Sequence, residues 1–94
     1  MKLIFKNNSN KNITDLMRTA GYYPKEGASF VREISGLKYP RFHIYLEQNE
    51  DNIVINLHLD QKKPSYQGSK AHNTEYDGRV VEDEAERLKQ FFRG

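Results

Sequence analysis

The chain contains no cysteine, and its apolar residues never form a long uninterrupted run. Without cysteine, neither a disulfide framework nor a thiolate metal site can form. A membrane-spanning helix needs about 20 consecutive apolar residues, and no stretch of the sequence approaches that length. Met1-Lys2 is followed by only three apolar residues, Leu3 to Phe5, which is too few for a secretory signal. We therefore expect a cytoplasmic protein without a membrane partner.

Length and charge narrow the possibilities further. The 94 residues are enough for a single small domain with one core, spanning residues 1–94. The net charge of +2 is too small to indicate nucleic-acid binding on its own. The charge is unevenly spread, however, because residues 1–41 hold eight Lys or Arg against three Asp or Glu, and residues 42–94 hold seven against ten. This asymmetry permits a basic patch.

Strict alternation of apolar and polar residues between Arg41 and Asp60 predicts a β-hairpin whose register can be derived. With the turn centred on Glu50-Asp51, three apolar pairs form on one face, namely Phe42 with Leu59, Ile44 with Leu57 and Leu46 with Ile55. The same register sets polar residues opposite each other on the second face, with Arg41 opposite Asp60, His43 opposite His58, Tyr45 opposite Asn56 and Glu47 opposite Val54. The hairpin is therefore expected to have one core face and one face suited to chemistry.

Other elements follow from weaker patterns. Helical spacing predicts a first helix from Ile13 to Ala20, with Asn12 as N-cap and Gly21 as its stop. We expect a strand over 28–34, near a sheet edge because Arg32 interrupts it, and an optional strand over 1–5. A final helix carries an apolar stripe made of Val81, Ala85, Leu88 and Phe92.

The expected fold class is α+β, in the order α-β-β-β-α. Its three-stranded antiparallel sheet is covered by helices on one face. Residues 61–78 contain Pro64, Gly68 and Gly78 and have no sustained apolar period. A loop of that length in so small a domain is usually functional or mobile.

Two histidines provide the candidate catalytic groups. Opposed residues on antiparallel strands place their Cβ atoms about 4.5–5.5 Å apart, so His43 and His58 can hydrogen-bond, share a proton or ligate one cation. Asp60 lies two residues from His58 on the same face. A half-exposed polar surface without a catalytic role is the simplest interpretation of this group, and a catalytic site is the next. Because no recognised metal-ligand spacing is present, we expect no metal and no cofactor.

Candidate ligand-binding residues lie on the same face and in the segment after it. Arg41 either forms a simple ion pair with Asp60 or holds a phosphate or carboxylate beside the imidazoles. Tyr45 and Asn56 extend this face. The segment 61–78 interleaves basic and aromatic side chains that suit backbone phosphates and unstacked bases: Lys62, Lys63, Tyr66, Lys70, His72 and Tyr76.

The order of elements from Ile13 to Phe92 resembles both the double-stranded-RNA-binding domain and the HicA-like (YcfA-like) messenger-RNA interferase toxins, a resemblance that implies a related fold and contact with RNA. Gly21-Tyr22 is similar to the glycine that follows the first helix in the toxins. Their catalytic histidine has no counterpart at Ala28-Ser29-Phe30, so His43 would take its place. The lysine cluster that opens the second helix of the RNA-binding domain is replaced by Glu82-Asp83-Glu84. The sequence from Asn56 to Tyr66 also looks like that of small bacterial proteins without an assigned activity.

Three functions are consistent with these features. The leading hypothesis is binding of RNA or another phosphate-bearing ligand through the polar sheet face and the 61–78 loop. The alternative is a hydrolase or nuclease that uses His43 and His58, metal-assisted or not, with Asp60 orienting an imidazole and Arg41 or Lys62 stabilising negative charge. A third is a module that binds a protein partner through a sheet edge.

Overall fold

The computed structural model describes residues 1–7, 12–61, 74–75 and 78–92. Along the chain these residues form β1 (Lys2–Lys6), α1 (Ile13–Thr19), β2 (Tyr23–Pro24), β3 (Ser29–Glu33), β4 (Arg41–Gln48), β5 (Asn52–Asp60), β6 (Thr74–Glu75) and α2 (Arg79–Phe92). The α+β class is therefore confirmed. In this part of the chain, neither helix is both long and apolar enough to cross a membrane.

The sheet is antiparallel and larger than the sequence predicts. Five strands follow the order β1-β5-β4-β3-β2, and β6 adds two residues beside the end of β5. The predicted three-stranded sheet, made of β3, β4 and β5, is thus an underestimate. The optional amino-terminal strand is present, and it pairs with β5. Two-residue strands such as β2 and β6 have no detectable alternation, so their sequences could not predict them.

The hairpin register agrees with the prediction at every pair. Phe42 lies opposite Leu59 and Ile44 opposite Leu57, while His43 lies opposite His58 on the other face. The turn closes where expected, since the amide of Asn49 donates to the carbonyl of Asn52 at 3.0 Å.

Both helices pack on the apolar face of the sheet. Asn12 caps α1 by accepting a hydrogen bond from the amide of Asp15 at 3.1 Å, and Gly21 follows the helix with a φ of 98° that favours glycine. The predicted stripe of α2 is buried at Val81, Ala85 and Leu88. These residues share one core with side chains from both helices and four strands: Leu3, Met17, Ala20, Tyr22, Phe30, Phe42, Ile44, Ile53, Ile55, Leu57 and Leu59.

Candidate functional site

Both helices cover one side of the sheet, so the side chains on the opposite side are not part of the helix-packed core. Because side chains alternate across a strand, the residues between the core positions of β4 and β5 point away from the helices. We call their surface the polar face, defined by Arg41, His43, Tyr45, Asn56, His58 and Asp60. All six were predicted from the sequence as site residues, and the strand pairing brings them together.

Asp60 is the centre of this face. Its Oδ2 lies 3.1 Å from Nδ1 of His43 and 3.4 Å from Nε of Arg41, while its Oδ1 lies 3.1 Å from Nε2 of His58. One carboxylate is therefore shared by three basic side chains. We refer to these four residues, Arg41, His43, His58 and Asp60, as the Asp60 cluster.

The cluster is mostly covered. Its side chains are 10–19% exposed, so each keeps only a small solvent-accessible edge. Val31, which lies opposite His43 on β3, is fully buried and contributes an apolar neighbour on that side. Charges and dipoles act more strongly in such surroundings than in water, because the effective dielectric constant is lower.

Contact with Asp60 determines how His43 presents its ring. A carboxylate only accepts hydrogen bonds, so the imidazole donates from Nδ1, and in the neutral tautomer the lone pair lies on Nε2. Nε2 is buried and has no hydrogen-bond partner among the described residues. A buried polar atom without a partner costs about 1–3 kcal/mol, and it is the kind of atom that a ligand can satisfy.

Burial has a measurable consequence at His58. Desolvation lowers the pKa of His58 below its usual 6.5, and the nearby His43 lowers it further, while the negative charge of Asp60 acts in the opposite direction. His58 is therefore held in its neutral form near pH 7. Any ligand that brings negative charge to the cluster would favour its protonated form.

Tyr45 forms the exposed end of the polar face. Its ring centroid lies 4.6 Å from that of His43 with an interplanar angle of 29°, and 5.7 Å from that of His58 with an angle of 21°. Half of the Tyr45 side chain nevertheless remains exposed, at 50%. The imidazoles therefore support a tyrosine ring that is still available to solvent.

The cluster also has the composition of a cation site. The ligand atoms of His43, His58 and Asp60 all lie within 4.8 Å of one another. Arg41 weakens this interpretation, because its guanidinium already balances the charge of Asp60 and would repel a divalent cation beside it. The arrangement fits an anion better than a metal.

Six predicted ligand-binding residues lie outside the described residues: Lys62, Lys63, Tyr66, Lys70, His72 and Tyr76. Among the described residues of this region, Asp60 pairs with Thr74 across β5 and β6.

A second polar network lies within the core, and the sequence analysis did not anticipate it. The hydroxyl of Tyr22 donates to Oε2 of Glu84 at 2.5 Å. Arg87 donates to both oxygens of that carboxylate at 2.7 and 2.9 Å, and Arg32 lies 3.5 Å from Oε1. Glu84 is only 4% exposed. Burial and the charge of Glu84 raise the pKa of the Tyr22 hydroxyl strongly, so Tyr22 stays protonated and donates.

Comparison with protein-family models, with curated proteins and with solved structures finds no match to this chain. The resemblance to RNA-binding domains and interferase toxins therefore remains a prediction.

Proposed function

We propose that the polar face binds phosphate groups, and that single-stranded RNA is the ligand class. The observation that carries this proposal is the shared carboxylate: Asp60 contacts three basic side chains at 3.1–3.4 Å. Basic side chains thus outnumber the acid, so the guanidinium of Arg41 and an imidazole that becomes protonated can offer N–H groups to an incoming anion.

The charge balance explains how binding would proceed. With both imidazoles neutral, the charge of Arg41 offsets that of Asp60 and the cluster carries no net charge. Protonation of either imidazole adds one positive charge. A phosphodiester at the cluster would raise the pKa of His58 from its lowered value, because the anion stabilises the imidazolium. RNA binding is therefore expected to be coupled to proton uptake.

RNA is favoured over a free anion because the sequence supplies further basic and aromatic side chains beyond the four residues of the cluster. Lys2 lies on the neighbouring strand β1, opposite Asn56. The sequence that follows Asp60 contains Lys62, Lys63 and Lys70. A strand of RNA presents successive phosphates, and several such contacts give a salt-dependent affinity.

The salt dependence of binding tests this proposal. Single-stranded RNA is titrated into the wild type, Arg41→Gln and Arg18→Gln at several salt concentrations. Arg18 is an exposed arginine of α1 and serves as the matched control. We expect Arg41→Gln to lower the slope of log affinity against log salt by about 0.7 for each phosphate that the variant no longer neutralises. Arg18→Gln should leave the slope unchanged.

Two results would overturn the proposal: no binding of wild type at low salt, or equal slopes for the wild type and Arg41→Gln. Thermal melting of both variants checks that they are folded. Binding at several pH values adds a second readout, since proton uptake requires the affinity to increase as the pH falls through the titration of His58. The phosphodiester itself does not titrate near neutral pH, so the change would report on the protein.

Hydrolysis of a phosphodiester is the second candidate, and it is favoured by the geometry of His43. Oδ2 of Asp60 lies 3.1 Å from Nδ1 of His43, so the Nε2 atom of a neutral ring points away from the carboxylate. A histidine that acts as a general base is oriented by a carboxylate in the same way. His58 would act as the acid, and Arg41 would stabilise developing negative charge. The buried position of Nε2 ranks this candidate below binding, because a substrate must first reach that atom.

A further inference from the structure

We propose that Tyr45 is a stacking platform for an unpaired nucleobase, next to the phosphate-binding Asp60 cluster. The inference rests on the proposed function, since it names the part of the ligand that the exposed end of the polar face would contact. It adds a base-binding subsite to a phosphate-binding one. The ligand class is then a nucleotide chain with accessible bases, rather than any polyanion.

The supported ring of Tyr45 is the first observation. An exposed tyrosine normally loses rotamer freedom when a ligand packs against it, and this loss weakens binding. Here the ring already packs on His43 at 4.6 Å and lies near His58 at 5.7 Å, with small interplanar angles. Its orientation is therefore set before a base arrives. Half of its surface remains to receive that base.

The neighbours in register with Tyr45 suit the rest of a nucleotide. Asn56 lies opposite Tyr45 on β5, and Lys2 lies opposite Asn56 on β1, so the three side chains form one row across the face. The amide of Asn56 can both donate to and accept from the polar edge of a base. Lys2 is exposed and carries a positive charge for a flanking phosphate.

The distance between the two subsites is also appropriate. The ring centroid of Tyr45 lies 4.6 Å from that of His43 and 5.7 Å from that of His58, so the stacking surface adjoins the Asp60 cluster. The base and the phosphate of one nucleotide are likewise neighbours, joined through a single sugar. One nucleotide can therefore contact the Asp60 cluster with its phosphate while its base lies on Tyr45.

Tyr23 provides a matched control. Like Tyr45, it is a half-exposed tyrosine on this side of the sheet, where it pairs with Val31 at the sheet edge. Its hydroxyl donates to Glu33 at 2.8 Å, and a carboxylate at that place repels phosphate. No imidazole ring is stacked on Tyr23 in the described part of the chain. It therefore resembles Tyr45 in exposure but not in surroundings.

The experiment compares a short single-stranded oligoadenylate with an abasic oligoribonucleotide of the same length, titrated at low salt into four proteins: the wild type, Tyr45→Leu, Tyr45→Phe and Tyr23→Leu. For the wild type, we expect tighter binding of the oligoadenylate than of the abasic chain. Tyr45→Leu should weaken oligoadenylate binding roughly 5- to 150-fold, which is the loss expected when the aromatic partner of one stacked base is removed. Binding of the abasic chain should not change, and Tyr45→Phe and Tyr23→Leu should behave like the wild type.

The possible failures are distinguishable. If the wild type binds both chains equally and with a steep salt slope, phosphate binding stands and the stacking proposal is wrong. If Tyr45→Leu weakens both chains to the same extent, Tyr45 supports the cluster and does not stack on a base, which also overturns the proposal. If neither chain binds at low salt, both the proposed function and this inference are wrong. Equal melting temperatures of Tyr45→Phe and Tyr45→Leu exclude a folding defect.

Discussion

The hydroxyl of Tyr22 lies 2.5 Å from a carboxylate oxygen of Glu84, although 62 residues separate them along the chain. The contact ties the end of α1 to the middle of α2 inside the core. Arg87 strengthens the tie, since one guanidinium nitrogen also reaches the carbonyl of Ala20 at 2.5 Å. The helices are therefore joined by hydrogen bonds to a buried charge as well as by apolar packing.

Removing the Tyr22 hydroxyl is expected to destabilise the fold. Tyr22→Phe leaves the buried carboxylate with one hydrogen bond fewer and should lower the free energy of unfolding by about 1–3 kcal/mol. The adjacent Tyr23 is an internal control, since it also donates to a glutamate, but at the surface. Tyr23→Phe should cost less than about 0.5 kcal/mol. Urea denaturation measures both, and equal destabilisation would contradict a special role for the buried contact.

Stability is expected to depend on pH through His58. Its pKa in the folded state lies below the usual 6.5, so between those two values the unfolded chain binds more protons than the folded one. Stability is therefore complete above the unfolded pKa, and it decreases as the pH falls below 6.5. His58→Gln removes this proton uptake, so its stability should decline less over the same interval. Denaturation curves at a series of pH values check the difference, and parallel declines would refute it.

Stoichiometric zinc is expected to leave the melting temperature unchanged. A metal that bound the folded cluster would stabilise it by mass action, but Arg41 already balances the charge of Asp60 at 3.4 Å. Calorimetric titration provides the check. Tight one-to-one binding of zinc that disappears in His43→Ala and His58→Ala would show that the cluster is a metal site.

Cleavage is separable from binding. If the second candidate function is correct, single-stranded RNA is cut at a rate with a bell-shaped pH profile, because one imidazole must be neutral and the other protonated. His43→Ala should abolish cleavage while RNA binding persists. The control variant Arg18→Gln, which changes an exposed residue of α1, should cleave normally. A rate that is unaffected by His43→Ala would rule out His43 as the base.

The sequence predicts the polar face well because a β-hairpin has few possible registers. With the turn centred on Glu50-Asp51, the apolar residues Phe42, Ile44 and Leu46 pair with Leu59, Leu57 and Ile55, and this alignment also sets His43 opposite His58. Every polar pair follows from those apolar ones. When two paired strands follow each other in the sequence, their alternation therefore predicts which residues lie opposite each other.

The core network could not be predicted in the same way. Glu84 lies in an acidic stretch that suits the amino-terminal part of a helix, and nothing in that pattern indicates that its carboxylate is buried. Its burial depends on Tyr22, Arg32 and Arg87, which come from three other positions in the fold. Arg32 is interpreted as a sign of a sheet edge, and β3 does lie beside the short edge strand β2, but the contact of Arg32 with Glu84 of α2 at 3.5 Å was not anticipated. Such contacts arise from tertiary packing and leave no periodic signal.

The pairing of Asp60 with Thr74 makes the segment between them a replaceable part. Strand pairing holds both of its ends, and each doubling of the length of a closed loop costs only about 0.6 kcal/mol. Insertions and exchanges of sequence there should therefore be tolerated by the fold. Such changes would leave the carboxylate and the imidazoles of the polar face in place, because the pairing of β4 with β5 positions them.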